Sequence, residues 1–66
     1  MLIDPIDAMI LDALRRIGRP IKAVLLVAHV PIGIADRTAQ VHLKRMEGRG
    51  LVHRPLGVRR GWALAA

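Results

Sequence analysis

Hydrophobic residues recur along the first part of the chain at the spacing of a single helix face. Ile6, Met9, Ile10, Ala13, Leu14 and Ile17 make one stripe, while Asp12, Arg15 and Arg16 fall off it. Asp4 is placed to cap this element, Pro5 occupies its first position, Asp7 follows three residues after the cap, and Gly18 stops it, so a helix is predicted over residues 5–17. Arg19, Pro20 and Ile21 form an extended link with room for a short strand. Residues 22–30 are apolar nearly all round, with Lys22 and His29 the polar exceptions. Val24, Val27 and Val30 lend some strand propensity, but nothing alternates and the Ala and Leu content favours a second helix. That helix has two apolar faces, one of Ile21, Val24, Leu25 and Ala28, the other of Ala23, Leu26, Val27 and Val30. Pro31, Ile32 and Gly33 are expected to turn the chain, with Gly33 supplying a positive φ. A third helix is predicted over residues 36–48, capped by Asp36 and ended by Gly48, Arg49 and Gly50. Ala39, His42, Leu43 and Met46 lie on one side of it, and Arg37, Gln40, Val41, Lys44 and Arg45 on the other. Residues 51–54 and 60–64 flank Pro55, Leu56, Gly57, Val58 and Arg59 as a β-hairpin with a basic tip, which makes the fold class α+β.

Length and composition narrow what such a chain does. Sixty-six residues are expected to form one domain, 1–66, whose core lies near the lower limit for independent folding. With no cysteine, disulfides, zinc knuckles and thiol chemistry are excluded. His29, His42 and His53 fall on three different elements without metal-ligand spacing, so neither metal nor other cofactor is expected. There is no serine nucleophile and the five acids are scattered, which argues against an enzyme. Asp4, Pro5 and Asp7 interrupt any signal-peptide core, and the longest apolar run, residues 23–28, is far short of the roughly 20 residues that cross a bilayer. A cytoplasmic protein with no membrane partner and no small-molecule ligand is the expectation.

Charge adds the decisive asymmetry. The net charge is +6, but residues 1–12 hold Asp4, Asp7 and Asp12 without a base, so residues 13–66 carry eleven bases against Asp36 and Glu47, or +9. A strongly basic body with one acidic end favours polyanions, whose counterions are released when Lys and Arg neutralise phosphates.

Within residues 38–52, Thr38, His42, Leu43, Met46, Gly50, Leu51 and Val52 fall in the order of the recognition-helix signature of ArsR- and MarR-type transcriptional regulators. Trp62, Ala63 and Leu64, an aromatic-x-Leu sequence after a basic hairpin, resemble the wing that follows it in those proteins. The resemblance spans residues 18–65 and departs from the pattern at Ala35, where serine is common, and in a turn about Pro31 that is about one residue longer. It implies a winged helix-turn-helix fold, three helices with a two- or three-stranded wing, that binds double-stranded DNA. In that arrangement Arg37, Thr38, Gln40, Val41 and Lys44 would face the major groove, Arg45 a flank, and Arg54, Arg59 and Arg60 the backbone or minor groove. Trp62 would pack in the core. The alternative function of such a fold is a protein-interaction adaptor. No long helix follows Leu64, so the family's dimerisation arm is expected to be missing. A homodimer is nonetheless expected from surplus apolar surface, on the two-faced second helix and at Met1, Leu2 and Ile3.

Overall fold

The computed structural model describes residues 3–57 and 59–65; Met1, Leu2 and Val58, named above, lie outside them. Asp4 opens the first helix as its sequence position suggests. Its Oδ1 accepts the Ile6 N–H at 2.8 Å and the Asp7 N–H at 3.4 Å, satisfying donors that the first turn leaves free. Helix α1 (Pro5–Ile17) ends at Gly18, whose φ of 70° is left-handed and whose N–H donates to the Leu14 carbonyl.

The second helix is shorter than its apolar pattern predicts. Helix α2 (Ala23–Leu26) continues only as a 3₁₀ turn (Val27–His29), and Val30 is already extended at φ −95°, ψ 133°. The cause is local. Pro31 disfavours a helical conformation at the residue before it, and Lys22 at the cap position makes no side-chain capping bond. Of the two apolar faces, Ala23, Leu26 and Val30 are buried and Val24, Leu25 and Ala28 exposed, while Ile21 and Val27, one from each face, are half-buried. Leu26, fully buried, is therefore core and not spare surface. The following turn does not use Gly33 in the way expected, since the glycines with positive φ are Gly18, Gly50, Gly57 and Gly61.

Helix α3 (Asp36–Gly48) keeps its predicted bounds but not its predicted cap. Ala35 occupies the cap position with extended backbone and no side-chain bond. Asp36 is the first helical residue, where its charge still complements the helix dipole.

Strands β1 (Val52–His53) and β2 (Ala63–Leu64) form an antiparallel pair, Val52 opposite Leu64 and His53 opposite Ala63. They are shorter than the hairpin arms read from the sequence. The link before α2 contributes one bridge and not a strand: Trp62 N–H donates to the Ile21 carbonyl at 2.7 Å, and Ile21 N–H to the Trp62 carbonyl at 2.9 Å. This close approach needs Gly61, which has φ 107° and where a Cβ would stand 2.7 Å from the Ile21 carbonyl carbon. The core gathers Ile10, Ala13 and Leu14 of α1, Ala23 and Leu26 of α2, Val30, Leu43 and Met46 of α3, Val52 and Trp62. Among the described residues the fold is α+β, with three helices and a two-stranded sheet, and no helix is long and apolar enough to cross a membrane.

Candidate nucleic-acid interface

Burial of Ala39, Leu43 and Met46 fixes the rotation of α3, and so dictates what its other face presents. Arg37, Thr38, Gln40, Val41, Lys44 and Arg45 are all exposed. Arg37, Gln40, Val41 and Lys44 are spaced as a single stripe, with Thr38 and Arg45 toward its edge. Beside this stripe lies an open groove of about 470 Å³, lined by residues of α2, α3 and the hairpin. Lys22, Lys44, Arg54 and Arg59 line it together with Gln40, Ala23, Val24, Gly61 and Trp62, and no acidic residue is among them.

The four cations differ in their freedom. Lys22, Lys44 and Arg59 are exposed. Arg54, expected on the wing as a DNA contact, is held from two sides. Its Nε and Nη2 donate to Glu47 at 3.2 and 3.1 Å, and its guanidinium lies 4.5 Å from the Trp62 ring centroid. Only 21% of that side chain is exposed, so Arg54 fastens the hairpin to the end of α3, with its charge offset by Glu47. Trp62, buried as expected, serves as core and as groove wall at once. Arg59 and Arg60 are exposed at the hairpin tip, although Arg60 does not line the groove.

Arg45 turns the other way. Its Nη2 lies 3.6 Å from Asp7 Oδ1 and 3.7 Å from Asp4 Oδ2, tying α3 to the start of α1. His42 Nδ1 stands 2.6 Å from Asp7 Oδ1 and 2.9 Å from the same Arg45 nitrogen. A ring nitrogen cannot donate and accept at once. The arrangement free of that conflict has His42 donating from Nδ1 to Asp7 Oδ1, with the Arg45 guanidinium ion-paired to the carboxylates. Asp7 is 1% exposed and its Oδ2 has no hydrogen-bond partner. Asp4, Asp7 and His42 bring ligand-type atoms within 4.8 Å of one another, a grouping the histidine spacing did not suggest, and Arg45 already presents a cation to all three. The Ile6 N–H, with lesser help from the Asp7 N–H and the charge of Arg45, holds the Asp4 carboxyl below its ordinary pKa against the opposing effect of burial.

Of the nine residues expected at the site, Gln40, Lys44, Arg54 and Arg59 converge on the groove. Arg37, Thr38, Val41 and Arg60 are exposed outside its lining, and Arg45 is drawn toward α1. Lys22 is the residue that sequence reasoning missed. Its position depends on the bridge between Ile21 and Trp62, a non-local contact that the spacing of residues cannot announce. Fold and groove together define a small α+β protein with a cationic cleft between its third helix and its hairpin. No protein-family model, curated protein or solved structure matches the chain.

Proposed function

We propose that this chain is a winged helix-turn-helix protein that binds double-stranded DNA, with α3 as recognition helix in the major groove and the hairpin as wing. The observation that carries the reading is the groove lined by Lys22, Lys44, Arg54 and Arg59 without an acid, opening beside the polar stripe of α3. A phosphodiester backbone fits such a groove, because each cation that neutralises a phosphate releases condensed counterions. In this reading Lys22, Lys44 and Arg59 grip phosphates, Arg37 and Gln40 face base edges, Val41 meets a thymine methyl, and Arg60 reaches the backbone from the tip. Arg54 supports the wing from behind. The element order, three helices followed by a hairpin, supports the same reading.

Fluorescence anisotropy on a random-sequence duplex over a range of salt tests it. The native chain should show a steep log-log dependence of affinity on salt. Lys22→Ala, Lys44→Ala and Arg59→Ala should each reduce the slope by about 0.9, one phosphate contact apiece. Arg19→Ala, exposed and outside the lining of the groove, should leave it unchanged. A native slope near zero would overturn DNA binding.

A further inference from the structure

The corner of the hairpin is apolar, where a surface turn ordinarily carries polar residues or glycine. Gly57 N–H donates to the Arg54 carbonyl at 3.1 Å, so Pro55 and Leu56 are the two corner residues of a tight turn. Both are exposed, and Leu56, at 64%, is the most exposed of the large hydrophobic side chains among the described residues. This tip is stiff. Pro55 fixes its own φ, and Arg54, which opens the turn, is held by Glu47 and by the Trp62 ring. It is also set among cations. From Gly48 onward the chain has no acid, and Arg59 and Arg60, shortly after Leu56, are exposed.

We infer that Leu56 is a wedge that enters the minor groove of a DNA duplex and parts two stacked base pairs, kinking the helix at that step. The inference rests on the DNA reading above and deepens it, from a grip on phosphates to a deformation of the duplex. Chemistry selects the occupant. Cations draw in a polyanion, but an apolar tip in their midst gains nothing from phosphate and needs apolar surface behind the charge, which the stacked faces of bases provide. A single leucine buries too little to hold a lipid surface, the other anionic body with an apolar interior. Insertion costs stacking, so the wedge has to be stiff, and phosphate contacts from Arg59 and Arg60 hold the tip in place while the step opens. That cost is least at pyrimidine–purine steps such as TpA, which unstack easily, whereas an A-tract is stiff. Arginines alone favour the narrow minor groove of an A-tract, so a wedge and a merely basic tip predict opposite preferences.

Two short duplexes of equal length and composition test the inference, one with central TpA steps and one with an uninterrupted A-tract. Energy transfer between dyes on the duplex ends reads the bend, and 2-aminopurine at the TpA step brightens when that step unstacks. The native full chain should bend the TpA duplex by roughly 20° or more, brighten the 2-aminopurine, and bind this duplex several-fold more tightly than the A-tract. Leu56→Ala should lose all three effects while keeping the salt slope, because Lys22, Lys44 and Arg59 are untouched. Leu56→Met, which keeps an apolar tip, should retain the bend. Circular dichroism of each variant checks that it is folded. A native chain that binds with a steep salt slope but leaves the duplex straight and stacked overturns the wedge and leaves the DNA reading standing. So does a native preference for the A-tract, or a Leu56→Ala chain that kinks the duplex equally. A native salt slope near zero overturns the DNA reading itself, and the wedge with it.

Discussion

Arg54 and Arg59 stand on one hairpin and line one groove, yet their surroundings assign them different work. Arg54 is bound to Glu47 and stacked on Trp62, while Arg59 is exposed. Arg54→Ala should therefore cost roughly 1 kcal/mol of stability, read as a lower melting temperature. Arg59→Ala should leave the melting temperature nearly unchanged and weaken only duplex binding. Equal melting losses from the two would show that the stack carries no load. Asp4 allows a test by pH. Its carboxyl is held below the ordinary value of 3.8 in the fold, so the stability it adds is present above that value and lost as pH falls through the lower folded one. Asp4→Asn keeps a capping oxygen without the charge. The native chain should lose melting temperature below about pH 4 more steeply than this variant, and parallel acid limbs would remove Asp4 from the account. None of these residue-level partnerships was legible in the sequence. Glu47 and Arg54 are seven residues apart and Asp7 and His42 thirty-five, and no local rule connects either pair.

At the scale of elements, legibility followed the strength of local signals. Helices α1 and α3 have the bounds that the sequence predicts, because α1 carries a capping Asp, a first-turn Pro and a left-handed Gly, and α3 a single apolar stripe ending in glycines. Helix α2 misled because apolar residues all round carry no periodicity to count, and its early end comes from the geometry imposed by Pro31. The missing cap of α3 misled for a different reason. An acid near a helix start fits either the cap or the first turn, and here Ala35 takes the cap. The hairpin was visible by its turn residues, but its docking on Ile21 was not, and that docking shapes the groove. Gly61→Ala tests it. The substitution forces a Cβ to within 2.7 Å of backbone at a φ of 107°, so a loss of about 2 kcal/mol or more is expected by thermal or urea unfolding. If Gly61→Ala folds with native stability, the bridge does not position the hairpin.

Over the whole molecule the question is whether the fold, or merely the composition, makes a DNA site. The unfolded chain carries the same +6, and a flexible polycation also binds DNA, so affinity alone does not distinguish the two. Thermodynamic linkage does. A ligand stabilises the native state only by as much as it prefers that state, about 2.7 kcal/mol at a concentration of 100 Kd when the unfolded chain does not bind at all. Folding here gathers Lys22, Lys44, Arg54 and Arg59, scattered between residues 22 and 59, around one groove, and leaves Asp12 with Arg15 on another face. If that gathering matters, excess duplex should raise the melting temperature by several degrees at low salt, since about 1 kcal/mol shifts a chain of this size by roughly 4–8 °C. The rise should shrink toward zero as salt increases. Combining Lys22→Ala, Lys44→Ala and Arg59→Ala removes three of the groove's charges while leaving a chain that is still basic, and should abolish the rise. A triple substitution of Arg15, Arg19 and Arg49 to Ala takes away the same number of charges from residues that do not line the groove, and should largely keep it. A melting temperature that is unchanged or lowered by duplex in the native chain, or that responds equally to both triple substitutions, would mean that DNA reads the charge of this chain and not its fold.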